Sequence, residues 1–129
     1  MSNKILIAED EPSILLSLEF LLRDAGYEVT IARDGNQALH MAGLTRPDLI
    51  VLDIMLPLLD GFEVCRRVRE NEILGHTKIL ILTARGRGSE VEKSLALGAS
   101  AYMTKPFSTR ELVGRIGELL AQPQGGQNQ

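Results

Sequence analysis

The chain has 129 residues, the usual size of one compact domain, and its 14 Lys and Arg against 17 Asp and Glu give a net charge of −3. Because no dense basic stripe is present to hold a phosphate backbone, direct binding of nucleic acid is not expected. One cysteine, no leader before the first apolar run and no apolar stretch approaching about 18 residues predict a cytoplasmic protein that does not bind membranes.

Short apolar runs alternate with amphipathic stretches along the chain, which is typical of repeated strand and helix units around a parallel sheet. The second apolar run is more polar than the others, which favours an edge position. We therefore predict an α/β fold, a doubly wound (βα)5 sandwich of three layers. Its five parallel strands are predicted at Lys4–Ala8, Glu28–Ala32, Leu49–Asp53, Ile79–Thr83 and Ala101–Lys105.

Start and stop signals predict the first three helices. The first has Pro12 in its first turn, where the missing N–H is tolerated, and ends near Ala25-Gly26. Asp34 is placed to cap the second helix, and Asp60-Gly61 bounds the third. Cys65 lies among the apolar residues of the third helix and is predicted to be a small core residue.

Two further helices complete the pattern. A weaker one is predicted over Glu90–Leu97, and it stops at Gly98, a residue type that favours helix ends. Ser108 and Glu111 resemble a capping box at the start of the last helix. We predict one domain over residues 1–121, with residues 122–129 as a flexible tail or a truncated linker.

Polar side chains follow four of the predicted strands. Right-handed crossovers bring the carboxyl ends of the first, third, fourth and fifth strands to one edge, where open α/β sheets bind ligands. Neighbouring strands are only about 4.8 Å apart, so these side chains should converge on one pocket. They are Glu9, Asp10, Asp53, Thr83 and Lys105.

The charges of this pocket predict a bound cation. Two carboxylates about 5 Å apart repel by roughly 3 kcal/mol at an effective dielectric near 20, and three acids flank one lysine here. Oxygen ligands in a half-open cluster suit Mg²⁺, which commonly joins one or two carboxylates to a phosphate. Lys105 is then expected to neutralise an anion bound to Asp53, and the Thr83 hydroxyl to donate a hydrogen bond to it.

The chain carries a set of short segments in a fixed order: Glu9-Asp10, Asp53-Ile54-Met55-Leu56-Pro57, Asp60-Gly61, Thr83-Ala84, Gly98-Ala99 and Tyr102 followed by Lys105-Pro106-Phe107. With these segments, the chain from about Lys4 to Leu120 resembles the receiver domains of two-component response regulators. The resemblance implies a flavodoxin-like sheet with strand order 2-1-3-4-5.

The resemblance also implies a reaction. Asp53 would accept a phosphoryl group from the phosphohistidine of a histidine kinase or a histidine phosphotransfer protein. Mg²⁺ would be bound by Asp10, Asp53 and the backbone carbonyl of Met55, with Glu9 assisting through water. The domain would be regulatory rather than an enzyme, although it would catalyse its own phosphorylation and dephosphorylation.

Two further roles follow from the resemblance. Lys105 and Thr83 would hold the transferring group in line with Asp53. Thr83 and Tyr102 would form a switch pair that changes the shape of the face from Gly88 to Leu120, which includes the fourth helix, the fifth strand and the last helix. The downstream effector would be a further domain or a separate protein.

Two other function classes stay open. An aspartate-nucleophile phosphatase would carry a second Asp two residues after Asp53, where this chain has Met55. A pseudo-receiver, which binds partners without phosphorylation, would normally lack the acids or the lysine that are present here.

The chain departs from the family pattern at several positions. Leu58 stands where many receivers have glycine, so the loop is expected to be stiffer, with Leu58 and Leu59 exposed as a contact surface. Ser100-Ala101 replaces two acids that winged-helix regulators use in pairing, which favours a monomer or a weak phosphorylation-dependent dimer. A basic cluster on the third helix is predicted to be a solvated face, with kinase docking as the alternative: Arg66, Arg67 and Arg69.

Overall fold

The computed structural model describes residues 3–84 and 88–122. Apart from Gln122, the predicted tail or linker lies outside the described residues. Strands and helices alternate along the chain as β1 (Lys4–Ala8), α1 (Pro12–Asp24), β2 (Glu28–Ala32), α2 (Gly35–Thr45), β3 (Leu49–Asp53), α3 (Gly61–Glu70), β4 (Lys78–Ala84), α4 (Gly88–Ala96), β5 (Ala101–Lys105) and α5 (Thr109–Ala121).

The strands form one parallel sheet in the order β2-β1-β3-β4-β5, which confirms the predicted fold and the edge position of β2. Four strands have the predicted bounds, and β4 is one residue longer at each end. Asp53 pairs in register with Leu82, and Thr83 with Thr104, so the carboxyl ends of β3, β4 and β5 lie at the same edge. Within the described residues, no helix is long and apolar enough to span a membrane.

Helices cover both faces of the sheet, because alternate residues of its strands point to opposite sides. In β3, Ile50 and Leu52 belong to the cluster under α2 and α3, whereas Leu49 and Val51 belong to the cluster under α1 and α5. Cys65 is fully buried in the first cluster, as predicted. The three-layer sandwich is therefore confirmed.

The predicted helix signals are present in the structure. The side chains of Asp34, Asp60 and Ser108 each accept a hydrogen bond from the backbone N–H three residues later. Gly98 follows α4 with a φ of +104°, a conformation that residues with a side chain rarely adopt. The helix itself begins at Gly88, two residues earlier than predicted.

Arg69 is not part of a solvated face, so that prediction was wrong for this residue. Its guanidinium donates to the carbonyl oxygens of Gly98 at 2.7 Å, Thr77 at 2.5 Å and Gly75 at 3.3 Å, and to Ser100 Oγ at 3.3 Å. Burial lowers the pKa of the Arg69 guanidinium. The residue therefore ties α3 to the segments that precede β4 and β5.

Arg66 and Arg67 do lie on an exposed face of α3. Arg66 pairs with Glu63 and with Glu70, and Arg67 pairs with Glu63 at 2.8 Å. The hydrogen bonds from Arg66 and Arg67 lower the pKa of the Glu63 carboxyl to about 2. Such exposed pairs contribute little to stability, because water screens them.

The loop after β3 is held against the start of α2. Leu58 has a φ of +69° and a side chain that is 77% exposed. Leu59 packs against the cluster under α2 and α3, so the prediction that both leucines are exposed was wrong for Leu59. A Cβ on Gly35 would lie 1.9 Å from the Leu59 carbonyl oxygen, so this approach requires glycine in α2.

Candidate functional site

The carboxyl ends of β1, β3 and β5 bring Glu9, Asp53 and Lys105 into contact. Lys105 Nζ lies 3.1 Å from Glu9 Oε1 and 3.1 Å from Asp53 Oδ2. Asp10 is exposed at the rim and adds a third carboxylate, and one oxygen of each of the three acids lies within 4.8 Å of the other two. The structure thus places these four predicted residues in one cluster.

The two central carboxylates are removed from water. Glu9 is fully buried, and Asp53 is 3% exposed. Glu9 Oε2 accepts a hydrogen bond from the Glu11 N–H at 3.1 Å, whereas Oε1 has no hydrogen bond of acceptable geometry within the described residues, although the Lys105 ammonium is close. Glu9 Oε1 therefore relies on the Lys105 ammonium, which it shares with Asp53, so a further cation at this place would be stabilising.

The pKa values of Glu9 and Lys105 are both shifted from their ordinary values. Burial raises the pKa of the Glu9 carboxyl, and the neighbouring charge of Asp53 raises it further. For Lys105, burial alone would lower the pKa of the ammonium, but its contacts with Asp53 and Glu9 outweigh burial and raise it. Lys105 therefore stays charged, yet its single charge does not offset the carboxylates.

The donor set fits a hard divalent cation. Three carboxylates within reach of one another, with one buried oxygen lacking a hydrogen bond, supply the oxygen ligands that Mg²⁺ prefers. The Met55 N–H donates to Asp53 Oδ1 at 3.1 Å and so fixes the orientation of that carboxylate. The ligand role of the Met55 carbonyl stays a prediction.

Thr83 is near the cluster, but its hydroxyl is engaged elsewhere. The side chain is 2% exposed at the end of β4, and Oγ1 donates to Glu90 Oε1 in α4 at 3.1 Å. Tyr102, in the adjacent strand, is 44% exposed. Sequence reasoning did not assign Glu90 to the site. The only sequence feature that could have indicated it is an acid in the first turn of a helix, seven residues after Thr83.

A cavity of about 440 Å³ adjoins the cluster on the side of α1, and sequence reasoning did not predict it. Lys105 contributes to its wall, and the Lys105-Pro106 peptide bond at its edge is cis. The exposed ring of Pro106 and the adjacent Phe107 make this wall apolar. The lining residues are Ser13, Ile14, Ser17, Ala84, Lys105, Pro106, Phe107 and Thr109.

Comparisons with known proteins agree with this geometry. The chain is 47% identical over 120 residues to the alkaline phosphatase synthesis transcriptional regulatory protein PhoP of Bacillus subtilis (strain 168). This match covers 93% of the chain and 49% of the relative, so the chain spans about half the length of that protein.

Solved structures of response regulators and receiver domains are also similar to this chain. A putative response regulator from Chloroflexus aurantiacus J-10-fl superimposes with a TM-score of 0.89 and 38% identity, over 95% of this chain and 100% of the other. The receiver domain of the sensor histidine kinase PA1611 from Pseudomonas aeruginosa PAO1, which has a magnesium ion coordinated in its active-site cleft, gives 0.85 and 34%, over 95% and 100%. The family model of the response regulator receiver domain matches residues 5–117. This chain therefore belongs to the response regulator receiver domain family of two-component systems.

Proposed function

We propose that this domain is a phosphorylation-dependent signalling switch, in which Asp53 accepts a phosphoryl group from the phosphohistidine of a histidine kinase or a histidine phosphotransfer protein. The observation that carries the proposal is the fixed orientation of the Asp53 carboxylate. One oxygen is 3.1 Å from the Lys105 ammonium, and the other accepts the Met55 N–H at 3.1 Å. Such positioning beside a positive charge is the main requirement of phosphoryl transfer.

The proposed step forms an acyl phosphate. An Asp53 oxygen attacks phosphorus, and the bond between phosphorus and the histidine nitrogen breaks, so the imidazole leaves with its electron pair and takes up a proton. Lys105, kept protonated by its raised pKa, neutralises charge on the phosphoryl oxygens. Mg²⁺, held by Glu9, Asp10, Asp53 and the Met55 carbonyl, would supply further positive charge there.

Phosphorylation would then act on the switch pair. It adds about −1.5 to −2 charge and three acceptor oxygens to Asp53. The Thr83 hydroxyl turns towards these oxygens, and Tyr102 moves from its exposed position into the space that Thr83 leaves. The face formed by α4, β5 and α5 changes shape as a result, and this face contacts the downstream effector.

The setting of the switch is also part of the proposal. We place the domain in the cytoplasm, as a monomer or a weak phosphorylation-dependent dimer without direct contact to nucleic acid. The relative from Bacillus subtilis is a transcriptional regulatory protein of about twice this length, which supports an output through a further domain. Hydrolysis of the acyl phosphate, catalysed within the domain, would reset the switch.

The test is phosphorylation by acetyl phosphate and Mg²⁺, followed by the intact mass. Wild type should gain one phosphoryl group, and Asp53→Asn should gain none. Asp60→Asn is the matched control, because asparagine caps a helix as well as aspartate does. An equal adduct in wild type and Asp53→Asn would refute the assignment.

The two alternatives predict other outcomes, one in this experiment and one in a second assay. A pseudo-receiver would gain no phosphoryl group in any variant. An aspartate-nucleophile phosphatase would turn over p-nitrophenyl phosphate continuously, and Asp53→Asn would abolish that turnover.

A further inference from the structure

We propose that Glu90 is a positioning residue that holds the Thr83 hydroxyl away from Asp53 until Asp53 is phosphorylated, an inference that rests on the proposed function of Asp53. Thr83 Oγ1 donates to Glu90 Oε1 at 3.1 Å. Because Thr83 is only 2% exposed, water cannot readily replace Glu90 as the acceptor. The contact therefore has a definite effect on where the hydroxyl points.

The two acceptors compete for one proton. A threonine hydroxyl has a single O–H to donate, so it cannot serve Glu90 and a phosphoryl oxygen on Asp53 at the same time. Thr83 directly follows Leu82, the register partner of Asp53, so the Thr83 hydroxyl and Asp53 lie at the same edge of the sheet. Moving the hydroxyl to the phosphoryl group thus requires that its bond to Glu90 be broken.

Glu90 is well placed to act as an acceptor. It lies in the first turn of α4, where the helix dipole stabilises a negative charge. A hydrogen bond to an ionised carboxylate is stronger than one between neutral groups. A phosphoryl group carries a larger charge, about −1.5 to −2, so its oxygens can replace Glu90 as the acceptor of the Thr83 hydrogen bond.

The release of Glu90 would reach the proposed output face through α4. Ser94 is the one buried residue of this helix, all of whose residues are described, so apolar packing holds α4 weakly. Individual polar contacts then decide more of its position. The bond to Thr83 ties the start of α4 to β4, and breaking it allows α4 to shift when Asp53 is phosphorylated.

The experiment is a titration with beryllofluoride, a phosphoryl mimic, in the presence of Mg²⁺, followed by the backbone amide resonance of Tyr102. Glu90→Ala should respond at roughly three- to tenfold lower beryllofluoride concentration than wild type, the effect of one net hydrogen bond. Glu92→Ala is the matched control, since it removes the same charge from an exposed position of the same helix. The Glu92→Ala midpoint should stay close to that of wild type.

A double-mutant cycle separates the hydrogen bond from a general charge effect. Thr83→Val removes the donor, so Glu90→Ala should cause no further shift in that background. A shift that persists there, or equal midpoints for Glu90→Ala and Glu92→Ala, would overturn the inference. Glu90→Gln keeps a neutral acceptor and should give an intermediate midpoint, and this variant serves if Glu90→Ala unfolds. Wild type that does not respond at all would instead contradict the role of Asp53.

Discussion

Two groups of buried charge lie at opposite ends of the sheet, and their surroundings differ. At the amino ends of β4 and β5, the Arg69 guanidinium donates to three backbone carbonyl oxygens and a hydroxyl. At the carboxyl ends of β1 and β3, Glu9 and Asp53 share the single ammonium of Lys105, and the Asp10 carboxylate adds a third negative charge within 4.8 Å. A buried charge that is hydrogen-bonded to neutral acceptors stabilises the fold, whereas a cluster of like charges favours the binding of an oppositely charged ligand.

The largest expected effect comes from Arg69→Ala. The change leaves several partly buried carbonyl oxygens without a donor, so we expect the free energy of unfolding in urea to fall by about 3 kcal/mol. The folded fraction should still be phosphorylated by acetyl phosphate, because Arg69 lies at the other end of the sheet. Arg67→Ala is the control, since its exposed pair with Glu63 should change stability by less than about 0.5 kcal/mol. Similar losses in both variants would mean that the Arg69 contacts are not structural.

Mg²⁺ should stabilise the protein by binding at the carboxyl end of the sheet. At ten times its dissociation constant, a ligand that binds only the folded state raises the free energy of unfolding by about 1.4 kcal/mol. Asp10→Asn removes an exposed carboxylate of the cluster and should reduce this gain, whereas Asp60→Asn should keep it. Urea unfolding with Mg²⁺ and with EDTA measures the difference. A gain that is the same in Asp10→Asn would place the ion elsewhere.

Glu9→Gln should remove the pH dependence that the burial of Glu9 and the neighbouring charge of Asp53 cause. Since the pKa of Glu9 is raised in the folded state, the folded protein binds more protons than the unfolded chain between the ordinary value of 4.5 and the raised value. The stability of metal-free wild type therefore falls as the pH rises through this window. Glu9→Gln lacks the fall and should be more stable at neutral pH by about 1 kcal/mol. Below pH 4.5 the two proteins should unfold alike, and a difference that persists there would assign the effect to packing.

The carboxyl end of the sheet was predictable because its residues are fixed by the backbone. The alternation of apolar runs predicted the strands, and parallel strands ending at one edge place Glu9, Asp53 and Lys105 together. The observed distances of 3.1 Å from Lys105 to both acids agree with this expectation. No pattern of residues revealed that Lys105 would contact Glu9 as well as Asp53.

Contacts between side chains of different elements were not predictable in the same way. Arg69 looked like part of a charged face, although its position four residues after Cys65 places it beside the buried side of α3. The bond from Thr83 to Glu90 depends on how α4 sits on the sheet, which periodicity does not determine. Leu59 packs inward directly after Leu58, whose φ of +69° no periodicity predicts.

The smallest expected effect tests whether the carboxyl end also carries backbone strain. Leu58 has a φ of +69° with an exposed side chain, and glycine adopts such a φ without strain. Relief of this strain is partly offset by the larger entropy of glycine in the unfolded chain, so Leu58→Gly should raise the free energy of unfolding by only about 0.5 kcal/mol.

Leu44→Gly provides the matched control, because Leu44 is similarly exposed but lies in α2. Glycine is unfavourable in a helix, so this variant should be less stable by about 1 kcal/mol. The two substitutions are chemically identical, and only the backbone conformation makes their expected signs opposite. If urea unfolding gave losses of equal size for both, the turn at Leu58 would be unstrained, and the two ends of the sheet would differ in charge alone.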